Sequence, residues 1–125
     1  MIANRTESTA RELARHFAAK GPIQSAALAD IPVAPYTLVL NATSTSTRGE
    51  ALALPAHAIP PGCLAYDMAY GPSAQPFVAR ARAAGARASD GLGMLVEQAA
   101  EAFFLWRGLR PPTAGVLAEL RAAVR

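Results

Sequence analysis

Short apolar runs alternate with helical periods along this chain, and that alternation constrains the fold more than any other feature. Residues 37–40 and 63–68 are compact apolar runs bounded by turn-forming residues, and 23–25 and 87–89 are shorter strand candidates. Met1-Ile2-Ala3 reads as the tail of a further strand. Between these runs, residues 7–20 place Ala10, Leu13, Ala14 and Phe17 at spacings of three and four, the period of a helix face. Thr6 or Ser8 can cap that helix, and Gly21-Pro22 stops it. Residues 75–84 form a second helical segment, with Pro76 admissible in the first turn and Gly85 at the end. Residues 94–107 form a third, with Leu95, Ala99, Ala102, Phe103 and Trp106 on one face; Leu95, Phe103 and Trp106 are expected in the core, and Gly108 closes the helix. Thr113 then opens a last helix that carries Val116, Leu117, Leu120 and Val124 on one side. Strands alternating with helices at this spacing specify an α/β fold with a parallel sheet.

Several function classes are excluded by composition. The 125 residues make one domain, and 52% apolar against 17% charged residues is a folding composition. The net charge of +3 comes from arginines scattered singly, with Lys20 the one lysine, so no nucleic-acid stripe is expected. One cysteine, Cys63, and two histidines, His16 and His57, are too few for a disulfide framework or a metal cluster. No apolar stretch reaches ~20 residues and the start has no signal-peptide pattern, so the expectation is a soluble cytoplasmic domain without membrane contact.

Chemistry concentrates where strands hand over to helices, the edge at which open α/β sheets bind ligands. Asn4-Arg5-Thr6 follows the first strand tail. Free N–H groups at the next helix start suit an anion there, and an arginine in that place accommodates the extra phosphate of NADP. The plainer alternative is that Thr6 caps the helix and Arg5 is solvated. Tyr66-Asp67-Met68-Ala69-Tyr70 ends another strand; a phenol there can orient a polyhydroxylated acid, or the tyrosines are simply at the surface. In Ser89-Asp90-Gly91-Leu92-Gly93-Met94 a glycine turn lets a ligand approach backbone. It is not a dinucleotide GxGxxG, because Val96 stands at the third glycine position. Met94 and Gln98 share a helix face. Cys63 reads as a small buried apolar residue. Nothing in the chain nominates a general acid or base.

In sequence order, Ala3-Asn4-Arg5-Thr6, then Leu38-Val39-Leu40-Asn41-Ala42-Thr43-Ser44, then Tyr66-Asp67-Met68-Ala69-Tyr70-Gly71, then Pro76-Phe77, and residues 90–103 through Trp106-Arg107-Gly108 resemble the C-terminal, nucleotide-binding half of the shikimate dehydrogenase family. The resemblance implies NADP-linked interconversion of 3-dehydroshikimate and shikimate in aromatic amino-acid biosynthesis. It implies that Asn4, Arg5 and Thr6 hold the adenosine phosphate and that Asn41 and Thr43 pass near the cofactor. Met68, Gly91 and Met94 would border the nicotinamide, and Tyr70 and Gln98 would touch shikimate. Thr9 stands where many members carry a second basic residue, and Ser46-Thr47-Arg48 replaces a glycine-plus-apolar pair. The family's Lys–Asp catalytic pair belongs to an N-terminal half with no counterpart here, and Lys20 cannot replace it. No catalytic residue is therefore assigned, and the chain is expected to be inactive alone. Two alternatives remain: a non-catalytic module that binds a nucleotide or a protein partner, and a fragment whose substrate is quinate.

The resemblance also implies a truncated, Rossmann-like doubly wound sheet. In the order 3-2-1-4-5-6, Met1-Ile2-Ala3 ends the second strand, 23–25 is the third, and 37–40, 63–68 and 87–89 are the fourth, fifth and sixth. The central first strand and its glycine-rich loop have no counterpart. Residues 1–125 are thus expected to form a single partial NADP-binding domain with two facing strand edges, ordered chiefly over 37–108. The helix within 109–125 would lean on the absent half, leaving apolar surface open to self-association.

Overall fold

The computed structural model describes residues 1–48 and 50–124. Its elements run β1 (Ile2–Asn4), α1 (Glu7–His16), β2 (Ser25–Ala27), β3 (Leu38–Asn41), β4 (Leu64–Asp67), α2 (Gln75–Ala83), β5 (Arg87–Ser89), α3 (Leu92–Arg107) and α4 (Ala114–Ala123). Each strand and helix expected from the sequence is present, with limits that are unchanged, as in β5, or moved by at most four residues. The largest change is in the first helix: the α-helical hydrogen bonding stops at His16, and Ala18–Lys20 form a separate 3₁₀ turn before Gly21. The strand expected at 23–25 lies two residues later, and α3 begins at Leu92 rather than Met94.

All strand pairings are parallel, and they divide where the missing central strand was expected: β1 pairs with β2, and β3, β4 and β5 pair in that order. Helix α1 covers the first sheet and α2 packs on β4 and β5. Between the sheets lies a cavity of about 160 Å³ bordered by Met1 and Ala3 on one side and Val39, Leu40 and Asn41 on the other. A strand's hydrogen-bonding groups alternate sides. Because the carbonyls of Thr37 and Asn41 accept from Leu64 and Met68 of the β4 side, those of Leu38 and Leu40 face away from β4. In β1 the Ile2 N–H donates to Gln24, so the backbone of Ala3 faces away from β2.

The apolar core belongs to the three-stranded sheet. Ile59, Cys63, Ala65, Phe77, Ala81 and Ala86 form one buried cluster, with Val39, Leu52 and Leu54 packed against it. Cys63 is buried among them, as expected of a small apolar side chain. The loop segment 52–54 is tied down by Arg80, whose guanidinium donates to the carbonyls of Leu52 and Leu54.

Two sequence expectations fail in packing. The buried stripe of α3 is Leu92, Val96 and Ala100, whereas Trp106 is 79% and Phe103 41% exposed and Leu95 is only half-buried. Most of α3 is apolar around its whole circumference, so more than one stripe satisfies the helical period. The smaller stripe is the one that packs inward. The caps also differ: neither Thr6 nor Thr113 makes a side-chain cap bond. Gly108 does act as expected, ending α3 in the left-handed region (φ 68°) with its N–H on the Phe104 carbonyl.

Candidate functional site

The carboxyl ends of β1, β3, β4 and β5 carry every site residue the sequence singled out, either at the strand end or in the following turn or helix. At the end of β1, the Asn4 Oδ1 accepts the Thr6 N–H at 3.0 Å, which bends the chain into α1. Arg5 and Thr6 are exposed, and Arg5 enters no ion pair among the described residues. The residue expected as a cap is thus itself held by Asn4, and the guanidinium stays available. Thr9 lies exposed in the first turn of α1.

At the ends of β3 and β4 the side chains form one closed network. Asn41 and Asp67 are opposite each other in the ladder, and they are 2% and 0% exposed. Asn41 Nδ2 donates to Asp67 Oδ2 and to Ser46 Oγ, both at 3.0 Å. Ser46 Oγ donates to the same Asp67 oxygen at 2.7 Å, and Asp67 Oδ1 accepts the Ala69 N–H at 2.9 Å. Asn41 Oδ1 accepts both the N–H and the hydroxyl of Thr43, at 3.1 and 2.8 Å, and Thr43 Oγ1 meets Thr45 Oγ1 at 2.7 Å. The departure noted at Ser46-Thr47-Arg48 is a 3₁₀ turn whose first residue is buried in this network.

Arg48, at the end of that turn, grips Glu50 with two hydrogen bonds, 3.1 Å from Nε and 3.0 Å from Nη2. The hydrogen bond and the charge of Arg48 hold the Glu50 carboxyl below its ordinary range, and Arg5 adds a weaker pull from the β1 side. Glu50 in turn raises Arg48. Both side chains are about half exposed, where such pairs contribute little to stability.

The end of β5 is docked against the end of β4. Gly91 N–H donates to the Ala69 carbonyl at 2.8 Å, and a Cβ on Gly91 would collide with the Met68 carbonyl oxygen. The close approach that requires glycine here is therefore the protein's own backbone, where the sequence reading assigned it to a ligand. Gly93 has open space around its Cβ direction. Asp90 secures the junction, accepting Gly71 N–H at 3.2 Å and Leu92 N–H at 3.4 Å. Met68, Tyr70 and Met94 are 41, 44 and 41% exposed, an unusual concentration of large uncovered side chains at one edge. Gln98 shares that helix face, but its Nε2 donates to the Leu95 carbonyl of its own helix at 3.1 Å.

Ser46, Asp67 and Asp90 are the residues that sequence reasoning did not assign. Asp90 had a readable signal, an aspartate just before a helix start. Asp67 had only its position at the end of an apolar strand. Among the described residues no His, Cys, Asp and Glu cluster could hold a metal ion, and no described helix is long and apolar enough to cross a membrane.

Comparison with known proteins shows what the chain is similar to. Residues 91–121, which span α3 and most of α4, match the model of the shikimate 5′-dehydrogenase C-terminal domain. Shikimate dehydrogenase (NADP(+)) of Acidovorax ebreus is 52% identical over 98% of this chain and 45% of its own length. Over nearly its whole length the chain is thus similar to a little under half of a shikimate dehydrogenase. The protein of the same name from Dechloromonas aromatica is 54% identical, again over 98% of this chain and 45% of its own. Shikimate 5-dehydrogenase from Thermus thermophilus, solved in complex with NADP(H) and shikimate, superimposes with a TM-score of 0.74 at 34% identity, covering 97% of this chain and 44% of that one. The chain therefore spans a little under half the length of the shikimate dehydrogenases it matches, and its Rossmann-like α/β fold is theirs over that part.

Proposed function

We propose that this chain is the NADP-binding half of an oxidoreductase that interconverts 3-dehydroshikimate and shikimate, a biosynthetic reaction that we assign to the cytoplasm. The observation that carries the reading is the ordered set of strand-end motifs on one edge, in a chain 52% identical to an enzyme named for NADP(+). The residues present fit that cofactor. Arg5 is exposed, in no ion pair among the described residues, and fixed at a strand end by the Asn4–Thr6 turn, which suits a 2′-phosphate. Bound NADP supplies or accepts the hydride.

The chain's own part is binding and orientation. Asn4, Arg5 and Thr6 hold the adenosine phosphate. Thr43 faces the cofactor's path, with Asn41 buried behind it and holding it through two hydrogen bonds, and Met68, Gly91 and Met94 border the nicotinamide. Tyr70 offers a phenol and Gln98 an amide to the hydroxyls and carboxylate of the substrate, once Gln98 releases the Leu95 carbonyl. Proton transfer is assigned to no residue here: Asp67 and Asp90, the carboxylates at the ends of β4 and β5, have both oxygens occupied by hydrogen bonds. The acid–base step belongs to the part of the relatives that this chain does not span.

Calorimetric titration with NADP and NAD tests the reading. The chain should prefer NADP, and Arg5→Ala should remove the preference, weakening NADP by about tenfold or more, the worth of one charge-assisted contact. Equal NADP binding by the two proteins would remove Arg5 from the site.

A further inference from the structure

Asp67 is the most deeply buried charged side chain among the described residues, and no ion pair accompanies it there. An uncompensated buried carboxylate is expensive, and it persists where its hydrogen bonds are all made. Here they are made by three separate segments: the end of β3 through Asn41 Nδ2, the 3₁₀ turn through Ser46 Oγ, and the turn after β4 through the Ala69 N–H. The requirement at position 67 is for an acceptor alone. Asn41 cannot turn its amide round, because its Oδ1 already takes the Thr43 N–H and hydroxyl. Its Nδ2 therefore always faces Asp67, and the Ala69 N–H fixes the other oxygen. An asparagine at 67 would set N–H₂ against N–H₂.

We propose that Asp67 is a positioning residue: its carboxylate locks the loops after β3 and β4 together and so fixes how Thr43 and Met68 meet the nicotinamide half of the cofactor. Met68 and Ala69 also carry the contact with Gly91, so the lock extends to the N-terminus of α3. The proposal rests on the reading that this edge takes NADP.

The test is a reciprocal exchange. Asp67→Asn should lower NADP affinity by about tenfold, as expected for loss of a charge-assisted hydrogen bond. Affinity for 2′,5′-ADP, which reaches only the Arg5 end, should change by less than about twofold, because the two ends are independent sites. The double variant Asn41→Asp/Asp67→Asn restores one donor facing one acceptor, and NADP affinity should return to within about threefold of wild type. Three results overturn the proposal: Asp67→Asn binding NADP as wild type does, Asp67→Asn losing both ligands in equal proportion, or a double variant that regains thermal stability without NADP. If wild type binds neither nucleotide, the cofactor reading itself has failed. Amide exchange then decides the lock: the Thr43 and Ala69 amides should exchange faster in Asp67→Asn and slow again in the double variant, and unchanged rates would dismiss it.

Discussion

The two sheets are built alike and differ in what lies beneath them. Both are parallel and both present their carboxyl ends at the same edge. Under β3, β4 and β5 lies a continuous cluster from Ile59 to Ala86, centred on Phe77. Under β1 and β2 the buried residues are Ala10 and Ala14 of α1, while Leu13 and Phe17 of the same segment are 45 and 41% exposed. Two alanines remove little apolar area from water, at roughly 25 cal/mol per Å². The lesson concerns the site: one sheet presents Asn41, Met68 and Gly91 from a packed and hydrogen-bonded base, and the other presents Arg5 from a thin one. In the proposed site, recognition of a phosphate by a flexible cation tolerates that difference, and placement of a nicotinamide ring would not.

Truncation of one large side chain in each region should break the symmetry most plainly. Phe77 is 4% exposed at the centre of the cluster. Phe77→Ala should therefore lower stability by about 3–5 kcal/mol, whereas Leu13→Ala, at a half-open position, should lower it by about 0.5 kcal/mol. Urea unfolding of both variants measures the contrast. Similar losses would mean that the first sheet contributes to the common core.

The cavity between the sheets offers a second way to probe the comparison. Ala3 on one rim and Leu40 on the other turn backbone groups toward it, and its remaining lining includes Leu28, Ile31 and Tyr36. Unpaired strand edges of this kind accept an added strand. An eight-residue peptide of alternating valine and threonine should bind there and join the two sheets. At a hundred times its dissociation constant it would stabilise the protein by about 2.7 kcal/mol. The same peptide with proline at alternate positions lacks the needed N–H groups and should have no effect. Failure of the first peptide to bind, or equal binding by the proline peptide, would show that the two edges are not open to a strand.

Much of this was legible in the sequence. Short apolar runs and three-four spacings located the strands and the helices, because each signal is local and depends on few neighbours. The strand-end motifs were legible for the same reason, and Asn4, Asn41 and Gly91 stand at or just past strand ends as expected. What could not be read is which of several equivalent choices the tertiary structure makes. Leu92, Val96 and Ala100 compete on equal periodic terms with Leu95, Ala99 and Phe103, and only the packing of α3 decides between them. Asp67 was opaque for a different reason. Its role depends on Asn41, Ser46 and Ala69 meeting it from three segments, up to 26 residues away, and no local pattern announces such a convergence.

The smallest expected effect concerns α4, and it extends the same comparison to a third level of anchoring. No residue of α4 is buried, and its start has no side-chain cap. Val116 and Leu120 face Leu95, Ala99 and Phe103 of α3 across an apolar groove of about 290 Å³ that is incompletely filled. A void forfeits the dispersion contacts that would hold the two helices together. At the far end Val124 lies beside the turn at Gly71, close enough that a side chain at that position would touch it. Helices held this way open locally without global unfolding. In a verified monomer, the Leu117 amide, bonded to the Thr113 carbonyl at 2.9 Å, should exchange at least about tenfold faster than amides in the buried stripe of α3 around Val96. Raising the protein concentration should slow Leu117 selectively if the exposed stripe pairs with a second copy. Equal protection of Leu117 and Val96 in the monomer would show that α4 is part of the core unit and that the groove is closed in solution.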